Sequence, residues 1–103
     1  MKVNDIVYEA LVNLDVEQSI GKYGAAVTWI IPCEIIGYSK KKDKYFVFDD
    51  EINNSLVFID NFNKPYGESG RYYYPTRETA RKAAEDYILS QIIWRDEEGA
   101  EHE

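Results

Sequence analysis

From Ile6 to Val16 every even position is apolar, as Ile6, Tyr8, Ala10, Val12, Leu14 and Val16. That period of two belongs to a strand with one buried face. Val3, Ile6, Val7, Ala10, Leu11 and Leu14 also fit helical spacing, and Asn4 or Asp5 could cap such a helix. The β-branched and aromatic side chains of Ile6, Val7, Tyr8 and Val12 favour the strand, because they pack well on a pleated surface.

Gly21 and Gly24 flank a flexible connection, after which Val27 to Tyr38 reads as a long strand, bent or bulged near Pro32. Lys40 to Lys44 forms a polar turn, and Tyr45 to Phe48 returns as the second arm of an antiparallel hairpin ending at Asp49, Asp50 and Glu51. Asn53, Asn54 and Ser55 make another turn before the short strand Leu56 to Ile59. A loop rich in Asn, Pro and Gly, Asn61 to Gly70, then delivers Arg71 to Tyr74 as the last strand.

Pro75 and Thr76 open a helix, with Thr76 as N-cap and Glu78 in the first turn, where the helix dipole favours an acid. Ala80, Ala83, Ala84, Tyr87, Ile88 and Gln91 fall on one narrow stripe, apolar except at Gln91, that should face the sheet. Leu89, Ile92, Ile93 and Trp94 widen the apolar surface toward the helix end. The pattern predicts one β-rich domain over 1–94, its helix spanning 76–94, and a disordered acidic tail over 95–103.

Composition supports this division. A chain of 103 residues fits one domain, and nine Tyr, four Phe and two Trp suit strands. The net charge of −7 is concentrated in the tail, where Arg95 stands among five acids, so the body is only mildly acidic. Such a balance disfavours non-specific nucleic-acid binding by the molecule as a whole. The single cysteine, Cys33, lies in an apolar run and reads as core packing in a reducing compartment. The longest apolar stretch, Ala25 to Ile36, is interrupted by Thr28, Pro32 and Glu34 and is too short to span a bilayer, and no basic-then-apolar leader opens the chain, so a cytoplasmic protein is expected.

Little in the sequence suggests catalysis. The lone histidine, His102, sits in the tail, away from any base-and-nucleophile arrangement, and one Cys with one His cannot make a zinc site. No cofactor is expected. Two clusters remain. Asp49, Asp50, Glu51 and Asp60 form an acidic surface that could engage Arg and Lys of a partner protein. Lys40, Lys41, Lys42 and Lys44, beside Tyr38 and Tyr45, form the one basic cluster, which a small barrel could present to single-stranded nucleic acid. Tyr72, Tyr73 and Tyr74 add aromatic faces, of which strand alternation should bury at least one.

Asp5-Ile6-Val7-Tyr8, the strand Pro32-Cys33-Glu34-Ile35-Ile36-Gly37-Tyr38, and the segment Tyr74-Pro75-Thr76-Arg77-Glu78-Thr79-Ala80-Arg81-Lys82-Ala83 together form a pattern. It resembles small SH3-like barrel proteins of Firmicutes phages and mobile elements. Asn4 stands where that pattern has glycine, Thr79 where it has a second glutamate, and the Asn53 to Ser69 region is longer. The resemblance implies a fold and a mobile-element origin rather than an activity.

The expected architecture is α+β, a strongly bent antiparallel sheet or small SH3-like barrel of about five strands with one C-terminal helix packed across an opening. The expected function is non-enzymatic binding of a host protein, as an accessory protein inhibiting a nucleic-acid-acting defence enzyme through the acidic surface. A nucleic-acid-binding barrel using the lysine hairpin is the alternative.

Overall fold

The computed structural model describes residues 1–14, 27–49, 55–67 and 69–91. The glycine connection, Asp50, Glu51, Ile92 to Trp94 and the acidic tail lie outside the described residues. Among the described residues six strands and one helix follow in order: β1 (Ile6–Asn13), β2 (Val27–Ser39), β3 (Lys44–Asp49), β4 (Ser55–Phe58), β5 (Asn61–Phe62), β6 (Tyr72–Tyr74) and α1 (Arg77–Gln91). The hydrogen-bonded order is β4-β3-β2-β1-β6-β5. The fold is thus the expected α+β one, a strongly curled, barrel-like sheet with one C-terminal helix.

All pairings are antiparallel except β5 with β6, which is parallel, so the sheet is mixed. The sequence places β5 within a loop, because two residues carry no periodicity. Its position explains the curl. β4 and β5 run in the same direction, separated only by Ile59 and Asp60, so residues 55–62 act as one kinked strand. Its first half pairs with β3 and its second with β6, which ties the two ends of the sheet together.

The single buried face expected for β1 is corrected by its central position. Both faces are covered, and the innermost residues include Val7, Glu9 and Ala10, while Ile6 is 44% exposed. Odd positions face a first core of Val7, Ile35, Val47, Ile59 and Tyr73, joined by Cys33, Tyr45, Val57 and Phe62. Even positions face a second, of Ala10, Tyr74 and Ala80 with Tyr8, Ile30, Tyr66, Tyr72 and Ala83 around it. The first core lies inside the curl, and α1 packs on the opposite face of β1, β2 and β6 rather than across an opening.

Pro32 sits undisturbed in β2, opposite Tyr8. The Ile35 N–H donates to the Asp5 carbonyl, so odd positions of β2 bond to β1 and Pro32 turns its nitrogen the other way. Among the described residues the β3 ladder begins only at Ile35, so none of its hydrogen bonds is lost at Pro32. The irregularity lies instead between Ile35 and Gly37, and it reverses which parity of β2 faces inward.

α1 starts as the sequence indicates. The Thr79 N–H donates to Thr76 Oγ1 at 3.1 Å, and the Thr76 N–H donates to Thr79 Oγ1 at 3.2 Å. This reciprocal arrangement is a capping box in which threonine takes the place usually held by Glu or Gln. Ala80, Ala84 and Ile88 are fully buried, Ala83 and Tyr87 are half-buried, and Gln91 is exposed.

Candidate functional site

Burial leaves an apolar surface on the hairpin of β3 and β4. Phe46 pairs with Phe58 and Phe48 with Leu56, and strand alternation sets these four on the face opposite Val47 and Val57. Val47 belongs to the core, so the other four look outward. Phe48 is 46% exposed, Leu56 59% and Phe58 38%. The Phe46 and Phe58 rings meet edge to face, with centroids 5.9 Å apart. The Ile59 N–H donates to the Tyr45 carbonyl, so the same register continues beyond β4 and places Lys44 opposite Asp60. Their ion pair, 2.5 Å from Nζ to Oδ1, bounds the apolar row at one end.

This arrangement reassigns the charged candidates. Asp60 and Lys44, predicted to serve two different surfaces, neutralise each other. Asp49 ends β3, whereas Asp50 and Glu51 lie outside the described residues, so the structure describes no acidic cluster around Asp60. Lys40, Lys41 and Lys42 are exposed on the β2–β3 turn, where the Lys42 N–H donates to Ser39 Oγ at 3.2 Å. Asp43 takes a positive φ of 53° and accepts a hydrogen bond from the Tyr38 hydroxyl. That bond, followed by partial burial and the Asp43 charge, raises the Tyr38 pKa. Tyr45 packs against the first core and meets the Tyr38 ring at 4.8 Å, so it is not a free stacking platform.

The three consecutive tyrosines serve the two cores. Tyr73 enters the first, beside Glu9, and burial followed by the Glu9 charge pushes its hydroxyl well above the ordinary tyrosine range. Glu9 is itself only 7% exposed, and Arg71 Nη1 approaches its Oε2 at 3.8 Å. Tyr74 enters the second core and donates from its hydroxyl to the Lys64 carbonyl at 2.7 Å.

A cleft of about 480 Å³ opens between the 63–66 loop and α1, lined by Tyr66, Tyr74, Tyr87, Lys64, Lys82 and Asp86 among others. Some of its polar groups already have partners within the chain. Tyr66 Oη accepts from the Val12 N–H at 3.3 Å, and Lys82 Nζ lies 3.5 Å from Asp86 Oδ1.

No family model, no curated protein and no solved structure matches this chain. Among the described residues no group of three or more His, Cys, Asp or Glu could hold a metal ion, and no helix is long and apolar enough to cross a membrane. Cys33 is half-buried against the first core, its thiol directed at the Ile31 carbonyl at 3.6 Å.

The apolar row escaped the sequence reading although its signal was present. In Tyr45 to Phe48 and Leu56 to Ile59 both parities are apolar, leaving no polar face for solvent. A two-sided apolar hairpin at a sheet edge marks either a second core or a contact surface.

Proposed function

We propose that this chain is a non-enzymatic protein-binding module that docks a partner through the aromatic face of the β3–β4 hairpin. The observation that carries the reading is the joint exposure of Phe48, Leu56 and Phe58 on one rigid face. Aromatic side chains on a fixed strand give a partner large contact area at little entropic cost, and contact surfaces are enriched in them. The Lys44–Asp60 pair supplies a polar rim.

The narrower version makes the partner a host defence enzyme that acts on nucleic acid. It draws on the sequence resemblance and on the net charge of −7. Enzymes of that kind present Arg and Lys, and Asp49, Asp50 and Glu51 follow Phe48 directly in the chain, so acids adjoin the aromatic row in sequence.

Affinity capture from a bacterial lysate tests the reading, with wild type compared against Phe48→Ser/Leu56→Ser. Both side chains are largely exposed, so the double variant should melt within a few degrees of wild type. Loss of a specific captured protein is the expected result, and equal capture by the variant overturns it. Changing Asp49, Asp50 and Glu51 together to Lys should also abolish capture if the partner is a nucleic-acid-acting enzyme.

A further inference from the structure

The 63–67 loop is fastened to the sheet at four of its residues. The Asn63 N–H donates to the Tyr73 carbonyl at 2.8 Å, and the Lys64 carbonyl accepts from the Tyr74 hydroxyl at 2.7 Å. Past Ala10–Tyr72, where the β1–β6 ladder stops, the Tyr66 hydroxyl accepts the Val12 N–H at 3.3 Å. Gly67 backs onto the Tyr72 hydroxyl, which a Cβ there would meet at 2.9 Å. These ties fix one wall of the cleft of about 480 Å³, and α1 supplies the other, with the small Ala83 among its lining residues.

We propose that this cleft is a binding site for a small ligand made of a flat aromatic ring and one anionic group, a carboxylate or a phosphate. Its volume of about 480 Å³ falls within the roughly 300–1,000 Å³ of small-molecule sites. The walls select the ring. Buried Tyr74 and half-buried Tyr66 and Tyr87 line the cleft, and the hydroxyls of Tyr66 and Tyr74 are engaged with backbone groups, so these two present ring surface rather than free hydrogen-bonding groups. Tyr66 also stands between Tyr72 and Tyr87, with ring centroids 5.2 and 4.9 Å away, so its orientation is set before a ligand arrives.

The rim selects the charge. Lys64 from the loop and Lys82 from α1 line the cleft against the carboxylate of Asp86, which lies 3.5 Å from Lys82 Nζ. Lys64 has no ion-pair partner among the described residues. The cleft is therefore locally cationic on a chain whose net charge is −7, and an anionic group at the rim meets Lys64 while its ring lies on the tyrosines. A quaternary ammonium, the other common guest of clustered tyrosines, is disfavoured twice. Two lysines repel it, and Tyr66 and Tyr87 meet edge to face, which leaves no box between their rings.

Titration of the full chain, followed by NMR, tests this with naphthoate and adenosine monophosphate as anions and naphthamide and adenosine as their neutral counterparts. At least one anion is expected to bind several-fold more tightly than its neutral counterpart and to move the Ala83 methyl and Tyr87 ring resonances. The tighter anion tells a carboxylate source from a phosphate one, and added salt should narrow the preference. Lys64→Gln changes an exposed side chain, so it should melt like wild type and remove most of the preference for the anion. Tyr87→Leu should weaken anion and neutral probe alike, by roughly tenfold or more, as loss of a stacking ring does. Phe48→Ser/Leu56→Ser should bind the probes unchanged, because the cleft draws nothing from the β3–β4 face, so this inference and the docking reading fail separately. Equal binding of neutral and anionic probes, or a preference untouched by Lys64→Gln, overturns the inference. So does the lack of any response at Ala83 and Tyr87, the result expected if the chain's own end fills the cleft.

Discussion

The ring of Phe46 occupies the space that a side chain on Gly37 would need. A Cβ at Gly37 would stand 2.7 Å from Cε1 and 2.9 Å from Cε2 of that ring, and closer still to Cζ. Gly37 and Phe46 are cross-strand partners just past the β2 irregularity, so the glycine seats the ring that holds Phe58 edge to face. Gly37→Ala should displace Phe46, cost about 1–3 kcal/mol as overpacking does, and weaken partner capture without touching an exposed residue. Chemical denaturation and capture measured on one variant check both effects.

Ala84 and Ala80 are completely buried between α1 and the sheet. An aspartate at 84 would bring a charge into a fully buried site, at a cost of several kcal/mol. That is comparable to the whole stability of a domain this size, so Ala84→Asp should be unfolded at room temperature by circular dichroism. Leu89→Asp, on the exposed side of the same helix, should melt close to wild type.

Glu9 and Arg71 form the ion pair nearest the first core. Removing the cation takes one compensating charge from a carboxylate that is only 7% exposed. For fully buried pairs this costs about 3–5 kcal/mol, and since the Arg71 side chain keeps 32% of its exposure, about 2 kcal/mol is expected for Arg71→Leu. Glu9→Leu/Arg71→Leu should recover most of the loss, because no charge then remains to be solvated. A double-mutant cycle in urea measures the difference.

Alkaline pH should unfold the protein. Burial, followed by the neighbouring Tyr72 and Tyr66, pushes the Tyr74 hydroxyl up to about 12 from the ordinary 10.0, and Tyr73 is raised further. The unfolded chain gives up these protons near pH 10 while the folded one retains them. The stability linked to them is therefore intact below pH 10 and is lost as pH climbs from 10 through 12. Melting temperature against pH should fall in that window, and Tyr73→Phe/Tyr74→Phe should flatten the fall.

Elements with long, one-sided patterns were legible in the sequence. The Thr76 cap, the Ala80–Ala84–Ile88 stripe and the β2–β3 hairpin were all readable, because each is set by contacts only a few residues apart. Features set by distant partners were not. The second buried face of β1 depends on β6 and α1 covering it from the far end of the chain, and Pro32 could be placed only once the β1 register was known. The charged candidates illustrate the same limit. Lys44 and Asp60 looked like members of opposing clusters until the β3–β4 register set them side by side.

The kinked strand 55–62 also bears on how the chain reaches its fold. Strand β1 is made first, yet one of its neighbours, β6, is among the last strands to exist, with Ala10 waiting for Tyr72. Both cores need β6, since Tyr73 completes one and Tyr74 the other. Loop closure over that span must come before most of the burial that rewards it, which places the protein among slow, millisecond-to-second folders despite its size. Until β6 arrives, β1 has an unpaired edge and two uncovered faces. A growing chain is therefore most prone to aggregate in the interval between making β4 and making Tyr74.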